Sequence, residues 1–233
     1  IVEAMRDQLE TMPHIMFGGM THEPALRLGE RLSAMLPGAG TDTALDHVFF
    51  CDSGSVAVEI ALKMAVQFWR NRGETDRTRF VAFKNGYHGD TFGTMSACDP
   101  ATGMHALFAG GVPHQHIVPL PDTPEREAAL DHLLASSGDI AGVLIEPLIQ
   151  GAGGMRMHGP ETLKAIRRVC DAHGALLLFD EVISIPDGAR VISWLPTAHI
   201  AERAAQRGLT QCRAYGRSPG GTDRQQPAAG LAG

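Results

Sequence analysis

Two carboxylates stand where an apolar strand ends. In "GALLLFDEV" (174–182), three leucines and Phe179 run directly into Asp180 and Glu181. A carboxylate leaving so apolar a strand is costly to ionise unless it meets a cationic or protonated partner. A pyridinium N–H would be such a partner for Asp180, and so would an arginine. Glu181 is expected to face a neighbouring element. A second acid, Glu146, follows the apolar run "AGVLI" and precedes the glycine-rich "QGAGG". It reads equally as a site acid and as a buried acid satisfied by backbone N–H groups near Pro147.

Two glycine loops add further candidates. "CDSGSVAVE" (51–59) joins a strand-like run to a helical one. Gly54 and Ser55 then lie at a helix amino end, where free N–H groups and a hydroxyl can hold an anion such as a phosphate. An ordinary helix start capped by Asp52, Ser53 or Ser55 has the same appearance. "NGYHGDTFG" (85–93) follows another strand and carries Tyr87 and His88. Open α/β sheets bind ligands at that end of their strands, and an aromatic ring there can stack on a flat group. Packing of both rings against the domain surface is the alternative. His114 and His116 have the spacing of metal ligands on a strand, but no third ligand accompanies them, and two solvated loop histidines are expected; no metal site is assigned. "GAGGM" (151–155) lacks the lysine and serine of a phosphate loop.

These residues need a frame to position them, and the hydrophobic pattern supplies one. Short apolar runs at "HVFF" (47–50), "RFVAF" (79–83), "AGVLIEP" (141–147) and "ALLLFDE" (175–181) predict strands. Helical spacing predicts helices over 55–73, ended by Gly73, and over 123–138 and 160–174. Before them, a helical pattern in Ile1–Leu36 breaks at "MPHIMFGGMTHEPA". A second helix runs from Pro24 to Met35 and stops at "PGAG". Alternating strands and helices with continuous apolar strands predict an α/β fold, a mostly parallel sheet with helices on both faces.

The bulk composition fits such a domain. The chain has 233 residues, 44% hydrophobic and 20% charged, with a net charge of -6. That length suits one large or two small domains, and the acidic balance argues against nucleic acid or an anionic membrane as partner. No apolar run approaches the roughly 20 residues of a membrane span. The amino end shows no signal-peptide pattern, and a start at Ile1 reads as lacking the true beginning. Cys51, Cys98, Cys170 and Cys212 form no CxxC pair and read as reduced, small buried hydrophobes of a cytosolic protein.

Taken together and in order, the motifs resemble the class III, fold type I aminotransferases, which use pyridoxal 5'-phosphate. The stretches that carry the resemblance are "HIMFGGMTHEPA", "DSGSVAVEIALKMAVQFW", "NGYHGDTFGTMSACDP" and "IEPLIQGAGGMRMHGPETLKAIRRVCDAHGALLLFDEV". They are most similar to the biotin-synthesis branch of that class, and cover most of residues 1 to 182. The resemblance implies the large domain of a fold type I transferase, incomplete here. It implies that Gly54 and Ser55 bind the cofactor phosphate and that Tyr87 lies by the ring and substrate. It implies that Asp180 holds the pyridine nitrogen protonated, that Val182 lies on the ring's other face, and that Glu146 belongs to the active-site region. Phe17 to Thr21 match a segment near the active site without an assigned role. The implied reaction carries the amino group of S-adenosylmethionine to 8-amino-7-oxononanoate, giving 7,8-diaminononanoate, in a cytoplasmic homodimer. Another class III ω-aminotransferase, or a non-catalytic remnant that binds the cofactor, is the alternative.

The pattern departs from the family after Val182. The family holds its cofactor through a Schiff-base lysine beyond the aspartate, but the lysines here are Lys63, Lys84 and Lys164, all before Asp180. Where the family continues with a "TGFGRTG"-like run, "ISIPDGARVISW" stands instead. Residues 1–183 are therefore expected to form a partial cofactor-binding domain. Residues 184–233, with six arginines and no lysine, are expected to be an aberrant or disordered tail. A frameshift near residue 183 would account for it, and a genuinely divergent tail is the alternative. As written, the polypeptide is expected to be inactive or nearly so.

Overall fold

The computed structural model describes residues 1–35, 44–100, 105–108, 110–182 and the backbone of 192–195. They fall into two compact units, the first ending at Phe49 and the second beginning at Phe50.

In the first unit, α1 (Val2–Thr11) and α2 (Glu23–Met35) match the two expected helices. The start of α2 lacks a Ser, Thr, Asp or Asn cap. The His22 ring takes that role, its Nδ1 accepting the Ala25 N–H at 3.1 Å. The run "HVFF" was expected as a strand, but residues 47–50 have no regular structure and Phe49 is exposed. A strand needs a ladder as well as apolar residues, and none of the described strands pairs with this one. The "PGAG" turn lies outside the described residues.

The second unit is built on a sheet in the order β2-β1-β3-β6-β7. Its strands are β1 (Arg79–Phe83), β2 (His116–Val118), β3 (Ile140–Ile145), β6 (Leu176–Asp180) and β7 (Ile192–Leu195). The first four are mutually parallel, whereas β7 runs antiparallel along β6. That edge strand falls inside the segment expected to have no pattern; the remainder of 184–233 lies outside the described residues. A two-stranded antiparallel ribbon, β4 (Ile149–Gln150) and β5 (Arg156–Met157), carries the glycine loop between its strands.

Helices cover both faces, as the apolar strands require. One face packs α3 (Gly54–Arg70) and α4 (Phe92–Ala97), through Val58, Leu62, Phe68, Trp69 and Ala97, on Phe80, Leu144, Leu176 and Leu178. The other packs α5 (Pro124–Ser136) and α6 (Pro160–His173), through Leu130, Leu134, Ile166 and Val169, on Val81, Phe83, Val143 and Leu177. The helix α3 starts where Ser53 Oγ accepts the Val56 N–H at 3.2 Å.

One irregularity locks sheet to helix. Arg79 pairs with Ile140 but Phe80 pairs with Gly142, so Ala141 is an extra residue. The bulge turns Ala141 toward α3 and frees its carbonyl, which accepts the Trp69 indole N–H at 2.6 Å in a buried setting. Trp69→Phe keeps most of the ring and leaves that carbonyl unpaired. It is expected to cost about 1–3 kcal/mol, read as a lower urea midpoint with an unchanged slope.

Candidate active site

Parallel strands end on the same side, so β1, β3 and β6 deliver their loops to one edge. From β1 comes the loop with Tyr87 and His88, from β3 Glu146, and from β6 Asp180. The amino end of α3 meets them there: a Cβ placed on Gly54 would stand 3.0 Å from Val182 Cγ2.

Asp180 is 5% exposed. Its partner is neither of the two expected: His88 Nδ1 lies 2.9 Å from Oδ2, both side chains being buried. Oδ1 accepts the Val182 N–H at 3.3 Å. A carboxylate offers about four acceptor positions, so Asp180 has room for a further donor. The sequence carried half of this signal, since Asp180 demanded a partner, but the pair joins residues 92 apart in the chain.

Glu146 realises the backbone-satisfied reading. Oε2 accepts the Tyr87 N–H at 3.1 Å and Oε1 accepts the Gly151 N–H at 3.0 Å. It thereby ties the β1 loop to the glycine loop. Gln150 Nε2 donates to the Lys84 carbonyl at 2.9 Å, and a Cβ on Gly153 would lie 2.0 Å from the Asn85 oxygen. Only glycine permits that approach. Burial pushes the Glu146 carboxyl above its ordinary range; the His88 ring and the two N–H donors oppose the rise.

The loop 85–93 closes on α3. Asp90 donates its N–H to Ser55 Oγ at 3.2 Å. Gly89 sits at φ +123, where a Cβ would fall 2.4 Å from that same oxygen. Tyr87 donates its hydroxyl to Asp90 Oδ1 at 2.8 Å and stacks on His105, centroids 5.9 Å apart. Burial first, then the Asp90 carboxylate, push the phenol up to about 12. From α3, Glu59 accepts the Thr91 hydroxyl at 2.6 Å and the Gly93 N–H at 2.9 Å, fixing the start of α4. Ser53 caps α3, as one of the sequence alternatives had it. The N–H groups of Gly54 and Ser55 have no partner inside the helix by its geometry, so the start of α3 retains anion-binding capacity.

The Cys98 Sγ accepts the His88 N–H at 3.2 Å, and burial raises its thiol to about 11. Cys98 and Cys170 are buried as expected; Cys51 is only half-buried, and Cys212 lies outside the described residues. His116 belongs to β2, half-buried, with Nε2 3.4 Å from Asp139, whereas His114 is exposed. Among the described residues no three His, Cys, Asp or Glu side chains gather as metal ligands, and no helix is long and apolar enough to cross a membrane.

Known proteins resemble this chain in sequence and fold. The family described as aminotransferase class-III matches residues 1–184. The adenosylmethionine-8-amino-7-oxononanoate aminotransferase of Corynebacterium glutamicum is 41% identical over 185 residues, 77% of this chain and 43% of that protein. Its namesake in Mycobacterium leprae is 46% identical over 183 residues, 77% of this chain and 41% of that protein. The chain thus spans about two fifths of the length of these relatives. Among solved structures, the enzyme of that name from Methanocaldococcus jannaschii shares the fold, with TM-score 0.73, 23% identity, and 93% and 56% of the two chains covered. An aminotransferase of Bacillus anthracis is 30% identical, with TM-score 0.63 and coverage of 76% and 40%.

Two outcomes are expected. His88→Ala strips Asp180 of its buried hydrogen bond and should cost about 1.5–3 kcal/mol, read by urea unfolding. Glu146 gives a pH signature. A carboxyl raised above its unfolded value favours the protonated native state, so the stability it lends is full at low pH. That stability is lost as pH rises from the ordinary glutamate range through the raised value. Glu146→Gln does not titrate. The parent's stability relative to this variant should therefore fall as pH rises from the ordinary glutamate range, about pH 4, through the raised value, measured by urea unfolding at each pH.

Proposed function

The chain belongs to the class III aminotransferases, a family dependent on pyridoxal phosphate, and from that premise we propose that its site holds this cofactor for amino-group transfer. The observation that carries the reading is Asp180. It is a buried carboxylate with acceptor capacity to spare, at the strand edge where the open amino end of α3 also lies.

The residues present fit the group. Gly54 and Ser55 offer backbone N–H groups at a 17-residue helix, and a hydroxyl, to a phosphate. Asp180 offers its charge to a protonated ring nitrogen, and the His88 hydrogen bond keeps that carboxylate from turning away. Tyr87 and Val182 are the aromatic and apolar surfaces for a flat ring. Glu146 acts on the site through the two loops that it ties together. Pyridoxal phosphate, when bound, supplies a ring that accepts electrons from the carbon bearing the amino group. By holding a proton at the ring nitrogen, Asp180 keeps that ring electron-poor.

The relatives' names support S-adenosylmethionine as amino donor and 8-amino-7-oxononanoate as acceptor in the complete protein. A cytosolic homodimer is carried over from the family resemblance. No lysine follows Asp180 in this sequence, so we propose that this chain holds the cofactor without a covalent bond.

Titration of the chain with pyridoxal phosphate, followed by visible absorbance and circular dichroism, tests the reading. Saturable binding is expected, and Asp180→Asn should weaken it by about tenfold or more, the value of a hydrogen bond to a charged group. Borohydride reduction followed by intact mass should leave no pyridoxyl group at the site. Non-saturable binding, or an unchanged affinity in Asp180→Asn, would sink the proposal.

A further inference from the structure

We propose that His105 is a positioning residue of this site, holding the Tyr87 ring in its plane and facing the Asp90 carboxylate to which Tyr87 is bonded. The inference deepens the proposed function, since it concerns the aromatic surface assigned to the cofactor ring.

Three observations carry it. The His105 and Tyr87 rings are stacked, 5.9 Å apart and 20° from parallel. The His105 side chain is only 10% exposed, and its Nε2 lies 3.4 Å from Asp90 Oδ1, the same oxygen that accepts the Tyr87 hydroxyl. That nitrogen has no hydrogen bond, and a buried polar atom without one calls for an explanation. The 3.4 Å approach is an electrostatic contact whose alignment falls short of a hydrogen bond. With Asp90 itself 66% exposed, water screens it. The stack is therefore the stronger hold. A continuous line of contacts results: imidazole on phenol, phenol on Asp90, and the Asp90 N–H on Ser55 at the start of α3. Without His105, the Tyr87 side chain is left with its hydroxyl bond to Asp90, and its ring can turn about the line from Cβ to that oxygen.

The chain contains two tyrosines, Tyr87 and Tyr215, so Tyr215→Phe leaves Tyr87 as the sole reporter. In that background, tyrosine carrying carbon-13 in its ring is followed by NMR, without cofactor, in the parent, His105→Ala and His105→Phe. The imidazole should displace the Tyr87 ring signals. His105→Ala should lose the displacement, and His105→Phe, which restores a stacking face, should retain a displaced signal. Pyridoxal phosphate affinity should fall roughly two- to tenfold in His105→Ala, the range of one aromatic pair, and recover in His105→Phe. Should His105→Ala fail to fold by far-ultraviolet circular dichroism, His105→Gln is read against the same criteria. Unmoved Tyr87 signals in the variant without the ring overturn the inference. So does an unchanged affinity in a variant that has lost the displacement. If even the parent fails to bind pyridoxal phosphate, the cofactor reading falls, and the NMR comparison still decides whether His105 holds Tyr87.

Discussion

The structure of the second unit turns on one requirement: a carboxylate must be kept where water hardly reaches. Asp180 ends an otherwise wholly apolar strand and is 5% exposed. A charge so placed is stable only if donors surround it. His88 and the Val182 N–H are those donors. His88 can reach Asp180 only because β1 and β6 run parallel, with β3 alone between them. The parallel sheet is therefore what brings a histidine after β1 to an aspartate ending β6.

That pairing puts a demand on the loop that carries His88. It must cross the strand ends at a fixed height, and three groups set that height. Glu146 holds the Tyr87 N–H from the β3 side, Cys98 takes the His88 N–H from beneath, and Ser55 holds the Asp90 N–H from α3. Glycines stand where the chains come closest. Side chains at Gly89 or Gly153 would collide with Ser55 or Asn85. A rigid loop is the physical condition for a preorganised site, because a side chain aimed by three hydrogen-bonded neighbours need not be ordered when a ligand arrives.

Much of this was legible in the sequence. The runs that became β1, β3 and β6 are apolar and of strand length. The α3 stripe at 58, 61, 62, 65, 66 and 69 has helical spacing, and all its members are buried or partly so. "HVFF" shows the limit: its residues suit a strand, but pairing is a property of the fold. The elements that escaped notice, β2, β4, β5 and α4, have two to six residues each, too few to establish a period. In the site, Asp180, Tyr87, Gly54, Ser55 and Glu146 stood out because strand ends and glycine loops draw attention to them. His88 stood out only as a loop residue beside Tyr87, and Asp90 and His105 did not stand out, since their roles lie in partners that only the folded chain brings near.

Two of the site's carboxylates, Asp180 and Asp90, stand in opposite surroundings, and that contrast assigns them different work. Asp180 is buried and bonded on both oxygens, so its orientation is fixed and its charge is little screened. Asp90 is 66% exposed and shares one oxygen between a phenol and an imidazole. Water screens its charge, so what it offers is mainly geometry: an anchor for the Tyr87 hydroxyl and, through its own N–H, a link to Ser55. A buried acid suits a task in which charge must act over a short distance without competition from solvent. An exposed acid suits a task in which an aromatic ring must be held and can still be released. The depth at which the fold places each acid, rather than its residue type, separates the two roles.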